Sequence, residues 1–337
     1  MTKNNTVIDK ESANGNSKVP LSQQYGGIHV GGWVNLLPKS WVPYVQLARL
    51  SPPAALFLIY FPHFFGVLHA ANTHNLPWPE VRRAAAMLLG GSFFFSNAAH
   101  AWNDLIDAPI DAKIARTKNR PIVRGAISRR AAFLFTVSQA VGAAAFLLFL
   151  NVDAAKAAAV TIIGTTYYPW AKRHTNFPQV ILGFCLAWGI MVGNAATGVE
   201  NPWTDPAALL LVLASTTWTV IYDTIYAHQD IKDDIKIGVK SLAVLLQNRT
   251  KALLWSLLAL MITSLIAYGQ LAETSIIYYL ITVGGCCSSL GAMIANVELK
   301  EEASCWWWFS VGFWFTGLSI ALGLAQQYLL ADHYEIG

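Results

Sequence analysis

The amino-acid sequence predicts an all-α integral membrane protein with about nine transmembrane helices. Of its 337 residues, 55% are hydrophobic and only 12% are charged, whereas a soluble domain carries about 25% charged residues. Apolar segments of roughly 20 residues, the length that a helix needs to cross a bilayer core, recur along the chain. The net charge of +4 is modest, and no domain concentrates basic residues outside the loops, so we predict no nucleic-acid partner.

Nine apolar segments define the predicted helices, with approximate ends. They cover residues 50–70, 83–103, 130–150, 153–170, 178–197, 206–228, 251–269, 274–294 and 305–330. The N-terminal segment and the loops after the second, fourth, sixth and eighth helices carry 20 of the 23 Lys and Arg residues, and only Arg82, Arg83 and Lys156 fall opposite. Because cytosolic loops of membrane proteins are enriched in Lys and Arg, these loops are predicted to face the cytosol.

The predicted domain organisation is a disordered cytosolic tail over residues 1–45, a transmembrane domain over residues 46–331 and a short C-terminal tail over residues 332–337. The first part of the chain lacks the apolar core of a secretory signal, and it contains Asp9 and Glu11 but no arginine. Mitochondrial transit peptides are rich in Arg and poor in acids. We therefore expect the endoplasmic reticulum or another endomembrane rather than the mitochondrial inner membrane.

A first charged cluster follows the second predicted helix, in the segment NDLIDAPIDAKIARTKNRPIVRG (Asn103 to Gly125). On a helix, Asp104, Asp107 and Asp111 lie within about 60° of one another, on one face. Neighbouring carboxylates repel, so such a face is stable only with cations present. The alternative is a solvated helix end that enters a loop, but solvated ends rarely stack three acids on one stripe. We therefore interpret this stripe as part of a functional site.

A second acidic cluster lies in the segment YDTIYAHQDIKDDIKIGVKS (Tyr222 to Ser241). If the segment is helical, Asp223, Asp230 and Asp234 share a face, and Asp233 lies to the side. Two acidic stripes on the same membrane face are suited to divalent cations. Hard oxygen ligands favour Mg²⁺, which keeps several waters and usually bridges to substrate phosphates.

Basic residues accompany both stripes. They are Arg116, Lys118, Arg120 and Arg124 after the first, Lys236 and Lys240 after the second, and Lys172 and Arg173 on the loop between. Acids that hold Mg²⁺, beside cations that clamp the remaining oxygens, form a diphosphate site. Cytosolic loops collect Lys and Arg in any case, so the prediction concerns the clamp as a group. A substrate that joins a diphosphate to a membrane-soluble tail is a polyprenyl diphosphate.

These motifs resemble those of the UbiA family of intramembrane aromatic prenyltransferases. Asn103-Asp104-x-x-Asp107-x-x-x-Asp111 is similar to the first signature of the family, and Asp230-x-x-x-Asp234 is similar to the second. Three further segments are similar: RTKNRPIVRG (Arg116 to Gly125), YYPWAKRHTNFPQVILG (Tyr167 to Gly183) and YDTIYAHQD (Tyr222 to Asp230). The resemblance implies a UbiA-like bundle around a central cavity, with both motifs at its cytosolic mouth.

The resemblance also implies roles for individual residues. The implied ligands of Mg²⁺ and diphosphate are Asn103, Asp107, Asp111, Asp230 and Asp234. Lys172 would contact the diphosphate, with Arg116 or Arg120 assisting. The catalytic candidates are Asp107, Asp111, Asp230, Asp234 and Lys172. Further candidates for binding the diphosphate donor are Arg49, Asp104, Arg173 and Asp223.

One departure from the family bears on the acceptor. The early R-x-D-K-P segment of the family corresponds to Arg49-Leu50-Ser51-Pro52-Pro53, in which Ser51 and Pro52 replace the Asp-Lys pair. The departure weakens an assignment to 4-hydroxybenzoate, the ubiquinone precursor. The chain looks more like fungal meroterpenoid-pathway members, so the expected reaction is Mg²⁺-dependent transfer of a farnesyl-type polyprenyl group to a carbon of a polyketide-derived phenolic acid.

Two alternatives stay open at this point. One is the mitochondrial 4-hydroxybenzoate polyprenyltransferase of ubiquinone biosynthesis. The other, from a different class, is a membrane cation transporter. A transporter is expected to hold its acids near the bilayer midplane, whereas most of these acids lie at predicted helix ends among cations. The sequence therefore favours an enzyme.

The expected mechanism is a Friedel–Crafts-type prenylation. Mg²⁺ and the cations stabilise the leaving diphosphate while an allylic cation develops, and the phenolic ring attacks through carbon. A carboxylate or the released diphosphate then removes the ring proton. The rings of Tyr167, Tyr168, Tyr222 and Tyr226 are candidates to stabilise the cation, with helix packing as the alternative. His100 is a candidate base or acceptor contact, with a packed histidine as the alternative.

Overall fold

Nine long helical segments account for most of the chain that the computed structural model describes, residues 24–334, and this range contains no β-strand. The all-α prediction is confirmed, and each predicted segment has a corresponding helix. The helices are α1 (Ala54–His74), α2 (Trp78–Asp111), α3 (Arg129–Leu147), α4 (Val152–His174), α5 (Pro178–Ala196, interrupted at Trp188), α6 (Pro206–Ala227), α7 (Thr250–Leu271), α8 (Ile276–Asn296) and α9 (Glu302–Tyr334).

Seven helical segments among the described residues are long and apolar enough to cross a membrane. They are α1, α3, α5, α6, α8, α9 and the segment Leu242–Leu271, which joins a short helix to α7. Both α2 and α4 are long enough to cross a membrane but carry more polar residues. Those of α2 include the three aspartates of the first cluster. The multi-pass membrane character is therefore confirmed, whereas the count of nine crossings stays a prediction.

Close contact between α1 and α5 lies at the centre of the bundle, where α1 also packs against α2 and α9. Two glycines permit the close approach. A Cβ atom on Gly66 would lie 2.0 Å from the carbonyl oxygen of Ile190, and a Cβ atom on Gly193 would lie 1.9 Å from that of His63. Small residues at helix crossings let two backbones approach directly, which is a common way to pack helices inside a membrane.

Both acidic clusters lie where helices end at the same side of the bundle. The first cluster is on α2, which continues to Asp111 rather than ending at the predicted residue 103. The second cluster does not form one continuous helix, because α6 ends at Ala227 and a separate loop helix, Ile231–Ile237, follows with Asp230 as its N-cap. The predicted helical stripe is therefore wrong in its local geometry. Tertiary folding nevertheless brings Asp223, Asp230 and Asp234 to one cavity.

The N-terminal segment before α1 contradicts part of the predicted tail. Residues 24–45 include the 3-10 helix Gly32–Leu36 and the first turn of a short helix that begins at Val42. Tyr25 packs on the bundle: it is 7% exposed, and its ring centroid lies 5.0 Å from that of Trp306 on α9. The boundary predicted at residue 45 is therefore wrong, because aromatic and backbone contacts hold this segment in place. The rest of the predicted tail, residues 1–23, lies outside the described residues.

The C-terminal boundary also differs from the prediction. Helix α9 continues to Tyr334, so the boundary predicted at residue 331 lies inside a helix. Residues 335–337 of the predicted C-terminal tail lie outside the described residues.

Candidate active site

A cavity of about 250 Å³ lies at the charged end of the bundle. Its walls combine charged side chains with apolar ones, such as Leu58, Ile59 and Phe309. The sequence analysis named twelve site residues, and the structure brings nine of them to this cavity. The nine are Arg49, Asn103, Asp111, Arg116, Arg120, Lys172, Asp223, Asp230 and Asp234.

Asp104 lies behind the cavity wall and holds two of the cations that form it. Its carboxylate is 1% exposed and accepts a hydrogen bond from Arg49 at 2.6 Å. Arg120 lies 3.1 Å from the same carboxylate oxygen and donates to Asp111 at 2.6 Å. Asp104 therefore orients Arg49 and Arg120 from behind, which differs from the direct contact with the donor that the sequence predicts.

Asp107 and Arg173 also lie outside the cavity wall. Asp107 is fully buried and accepts a hydrogen bond from Lys172 at 2.5 Å, so Lys172 stands between it and the cavity. Arg173 donates to the backbone carbonyl of Ile106 at 2.8 Å and stays 3.9 Å from Asp107. The guanidinium of Arg173 therefore contacts the end of α2, and its predicted contact with the donor stays a prediction.

Arg116 connects the two acidic motifs across the cavity. Its guanidinium donates two hydrogen bonds to Asp230, at 2.9 and 2.5 Å, and a third to the hydroxyl of Tyr226 at 2.8 Å. Burial pulls the pKa of Arg116 down, but the carboxylate of Asp230 and the tyrosine hydroxyl outweigh it and hold that pKa well above its usual value. Arg116 is therefore a permanent cation at the wall.

Asp234 is the acid of the loop helix that faces the cavity. Burial, and then the neighbouring carboxylate of Asp230, raise the pKa of Asp234 to about 7. Nearby cations, Lys172 first among them, act in the opposite direction. Any further positive charge that enters the cavity therefore stabilises the ionised form of this carboxylate. Asp233, the preceding residue, instead accepts a hydrogen bond from the backbone N–H of Ala115 at 3.0 Å.

The residues at the end of α2 fit a magnesium ion that binds together with its substrate. Three buried oxygens there have no hydrogen-bond partner: Oδ1 of Asn103, Oδ2 of Asp104 and Oδ1 of Asp107. Within residues 24–334 as described, no group of three His, Cys, Asp or Glu side chains is close enough to hold a metal alone. Mg²⁺ in proteins is usually held by one or two carboxylates, water and substrate phosphates. The donor set therefore suits a shared metal–diphosphate site.

A second cavity, of about 350 Å³, lies between α2, α3 and α4 and is almost entirely apolar. It shares Ala99 and Thr165 with the charged cavity, so the two adjoin. Phe146, on α3, packs over two glycines of α2 that lie eight and nine residues before Ala99. A Cβ atom on Gly90 would lie 2.4 Å from the ring of Phe146, and one on Gly91 would lie 3.5 Å from its Cβ atom. The ring therefore lines this cavity away from its junction with the charged one.

Three of the four predicted aromatic residues line the charged cavity: Tyr168, Tyr222 and Tyr226. The guanidinium of Arg116 lies over the ring of Tyr226, 4.9 Å from its centroid. Tyr167 is 45% exposed and its ring lies 5.9 Å from that of His174. Tyr167 therefore lies outside the lining of the charged cavity, and its role in stabilising a carbocation stays a prediction.

His100 lines the charged cavity, and the sequence analysis missed several other lining residues, among them Gln179 and Tyr25. The Nδ1 atom of His100 lies 2.7 Å from the carbonyl oxygen of Ser96, which fixes the ring orientation. Gln179 was missed although it belongs to a segment that resembles the family; it accepts from the backbone N–H of Leu242 at 3.1 Å. Tyr25 was missed because no motif covers it, and only the tertiary fold brings it to the cavity.

The UbiA prenyltransferase family matches residues 59–318 of the chain. The chain belongs to this family. It is 37% identical over 305 residues to prenyltransferase stbC of Stachybotrys bisbyi, an alignment that covers 89% of this chain and 90% of that relative. It is 33% identical over 297 residues to the mitochondrial 4-hydroxybenzoate polyprenyltransferase of Schizosaccharomyces pombe, which covers 88% of this chain and 83% of that relative.

The fold is shared with solved UbiA structures. The structure of a UbiA homolog from Archaeoglobus fulgidus bound to GPP and Mg²⁺ matches with a TM-score of 0.65 and 19% identity, over 84% of this chain and 98% of that chain. Family membership and the named relatives make this protein an enzyme of the polyprenyl transferase type. The transporter alternative is therefore set aside.

Proposed function

We propose that this UbiA-family enzyme transfers a farnesyl-type polyprenyl group from its diphosphate to a ring carbon of a polyketide-derived phenolic acid, in meroterpenoid biosynthesis at an endomembrane. The observation that carries the proposal is the junction of two unlike cavities at Ala99 and Thr165. One side offers acids and cations for a diphosphate, and the other offers an apolar space for its tail. A polyprenyl diphosphate has both parts.

Magnesium would be held at the ends of α2 and α6. The ligands on the first motif would be Asn103, Asp107 and Asp111, and those on the second would be Asp230 and Asp234. When bound, the ion would supply positive charge that stabilises the negative charge of the leaving diphosphate. The partnerless oxygens of Asn103 and Asp107 support this assignment.

The cations of the cavity would move from acids to phosphate oxygens when the donor binds. Without substrate, Lys172 pairs with Asp107 and Arg120 with Asp111. A buried charge that loses its partner is costly, so an exchange in which metal pairs with acid and cation pairs with phosphate keeps every charge balanced. Arg and Lys held near the diphosphate gain most as negative charge builds on it during bond cleavage.

The phenolic ring would then attack the allylic cation through carbon. Tyr168 and Tyr222 line the charged cavity, and a ring face attracts positive charge, so these two rings would stabilise the cation. Tyr226 is less available for this role because its ring and hydroxyl already contact Arg116. The ring proton leaves to a carboxylate or to the released diphosphate, which restores the aromatic ring.

The prenyl tail would occupy the apolar cavity between α2, α3 and α4. Helix α3 packs mainly along α2, whereas α4 packs mainly along α5, so a gap remains between α3 and α4. Phe133 and Val137 line the cavity, and their side chains are 50% and 43% exposed toward the lipid side of α3. A long apolar donor could therefore enter from the bilayer.

The alternative function within the family is prenylation of 4-hydroxybenzoate. The similarity to the Schizosaccharomyces pombe enzyme favours it. Ser51 and Pro52, which replace the Asp-Lys pair of the family, and the higher identity to stbC favour the phenolic polyketide acid. The two functions differ only in the acceptor, so the acceptor decides between them.

The test uses membranes that contain the protein, Mg²⁺ and geranyl, farnesyl or geranylgeranyl diphosphate. Each donor is paired with 4-hydroxybenzoate or with an orsellinic-type acid, and products are identified by mass spectrometry. Transfer to the orsellinic-type acid, best with the farnesyl donor, is expected. Transfer only to 4-hydroxybenzoate would replace the proposed acceptor with the alternative one. A fluorescent fusion that locates to mitochondria would argue in the same direction.

A further inference from the structure

Residues 24–47, which we call the N-terminal strap, lie across the charged end of the bundle before α1 begins. The strap contains a 3-10 helix, Gly32–Leu36, and a short helix, Val42–Leu47. Its first described residues reach the charged cavity, where Tyr25 forms part of the wall together with Arg49. The strap therefore belongs to the site, although it lies outside the segments that resemble the family.

Tyr25 connects the strap to the first and the last helix of the bundle, α1 and α9. The side chain is 7% exposed, and its hydroxyl is hydrogen-bonded to the backbone of Ala55 in the first turn of α1. Its ring packs against Trp306 on α9, with ring centroids 5.0 Å apart, and Trp306 packs in turn against Phe309 at 6.0 Å. Phe309 lines the same cavity. Tyr25 thus completes an aromatic wall that α9 alone leaves open.

Arg124 fastens the strap to the loop that follows α2. Its guanidinium donates to the carbonyl oxygen of Gly27 at 3.0 Å and to Oε1 of Gln46 at 2.6 Å. Gln46 also donates to the carbonyl oxygen of His29 at 3.0 Å, which closes the strap on itself. The same guanidinium donates to the carbonyl oxygen of Asn119 in its own loop at 2.6 Å. One exposed side chain therefore joins both ends of the strap to the loop that carries Arg116 and Arg120.

Backbone contact between the strap and the site is direct at two glycines. A Cβ atom on Gly26 would lie 3.3 Å from Nε of Arg49, and Gly26 has a φ of +69°, which side chains rarely adopt. A Cβ atom on Gly27 would lie 3.3 Å from the carbonyl oxygen of Asn119. The strap backbone therefore packs directly against the Arg49 guanidinium and the loop after α2, because neither glycine has a side chain to separate them.

We propose that the strap is a lid that keeps water from the reacting carbocation, and that Tyr25 is the positioning residue of this lid. The inference rests on the proposed prenyl transfer. Cleavage of the carbon–oxygen bond gives an allylic cation and diphosphate. Capture by the phenolic ring and loss of the ring proton give the prenylated acid, whereas capture by water and loss of a proton give a prenyl alcohol. A closed active site prevents this type of side reaction.

The test compares Tyr25→Ala with Tyr25→Phe in membranes, using the donor and acceptor that the wild type accepts. Diphosphate release, prenylated acid and prenyl alcohol are all quantified. For Tyr25→Ala, the ratio of alcohol to prenylated acid is expected to rise about tenfold. Tyr25→Phe keeps the ring and is expected to keep the wild-type ratio. A purely structural role would lower the rates of both products together.

A wild-type product ratio in Tyr25→Ala overturns the lid, even if the overall rate falls. Hydrogen–deuterium exchange of the strap amides gives a second measurement that needs no turnover. Arg124→Gln is expected to speed exchange in residues 24–47, whereas Arg130→Gln, an exposed cation at the start of α3, is expected not to. Equal exchange in both variants would overturn the assignment of Arg124 as the residue that holds the strap in place. If the wild type releases no diphosphate from any donor, the proposed function fails, and the exchange measurement still decides whether Arg124 holds the strap.

Discussion

The guanidinium of Arg116 donates two hydrogen bonds to the carboxylate of Asp230, at 2.9 and 2.5 Å, across 114 residues of sequence. Arg116 follows the acidic motif of α2, and Asp230 begins the motif that follows α6. The pair is charged, bidentate and shielded from water, which is the strongest kind of hydrogen-bonded ion pair in proteins. It makes the two acidic motifs a single site.

Replacing Asp230 with Asn is expected to reduce prenyl transfer by about 100-fold or more, because the change removes an anionic ligand and leaves the Arg116 guanidinium without its partner. Arg116→Lys keeps the charge but loses the fork of two bonds, so a smaller loss is expected. Transfer rates are normalised to protein amount in the membranes. Asp233→Asn is the matched control, since Asp233 bonds to the backbone of Ala115 outside the cavity. A wild-type rate in Asp230→Asn would contradict the proposed site.

Asp107 and Lys172 are expected to be energetically coupled. Asp107 is fully buried, Lys172 is 20% exposed, and the two are joined at 2.5 Å, so Asp107→Asn or Lys172→Met alone leaves one uncompensated group. The double variant removes both, and its loss of thermal stability should be smaller than the sum of the two single losses. A coupling of about 1–3 kcal/mol is expected for residues in direct contact. Thermal unfolding of all four proteins in detergent measures it, and strictly additive losses would show that the pair is not formed.

Gly66→Ala is expected to destabilise the bundle by about 1–3 kcal/mol, because the added methyl group overpacks the contact between α1 and α5. The new carbon would lie 2.0 Å from the carbonyl oxygen of Ile190, and backbone cannot move aside as a side chain can. Gly284→Ala is the control, since its nearest neighbour is 3.7 Å away, an ordinary contact. The melting temperature is expected to fall for the first variant only. Equal melting temperatures would contradict the close crossing.

Phe146→Ala is expected to shift donor preference toward longer prenyl chains. The ring lines the apolar cavity away from its junction with the charged one, and its removal enlarges the space there. Discrimination by one or a few methylene groups in an apolar pocket is about 10–200-fold, so the ratio of geranylgeranyl to farnesyl use should rise about tenfold. Val141→Ala, on the same helix but outside the cavity and 63% exposed, is the control. An unchanged ratio of geranylgeranyl to farnesyl use would contradict the placement of the prenyl tail in this cavity.

Removing Mg²⁺ with EDTA is expected to abolish transfer, and adding Mg²⁺ back is expected to restore it. Binding can also be followed without turnover, because a ligand that binds only the folded state stabilises it by about 2.7 kcal/mol at 100 times its dissociation constant. Inorganic diphosphate should therefore raise the melting temperature with Mg²⁺ present and not with EDTA. Asp111→Asn should weaken that stabilisation. If diphosphate raised the melting temperature equally with Mg²⁺ and with EDTA, this would contradict a shared metal–diphosphate site.

Much of the site could be predicted from sequence because its chemistry is local. The spacing of Asp104, Asp107 and Asp111 is helical, so their common face follows from the geometry of one helix. The second motif shows where that approach stops. Asp223 and Asp234 lie on different helices, separated by a break that helical periodicity does not reveal.

Pairing between distant segments could not be predicted in the same way. Asp111 lines the cavity, whereas Asp104 holds Arg49 and Arg120 from behind. This difference depends on which cations reach each carboxylate. Tyr25 has no motif and no periodic pattern, and its segment is contacted from almost 100 residues away, where Arg124 donates to the carbonyl oxygen of Gly27 with a sequence separation of 97.

The sequence by itself determined the helical membrane class, the charged end of the bundle and the types of residue that meet a diphosphate. These depend on composition, on the length of apolar segments and on spacing within a single helix, all of which are local properties. Only the tertiary structure decided which acid pairs with which cation, that an apolar cavity adjoins the charged one, and that the N-terminal strap covers it. Those features come from contacts between segments far apart in the chain, and they depend on packing that no single segment encodes.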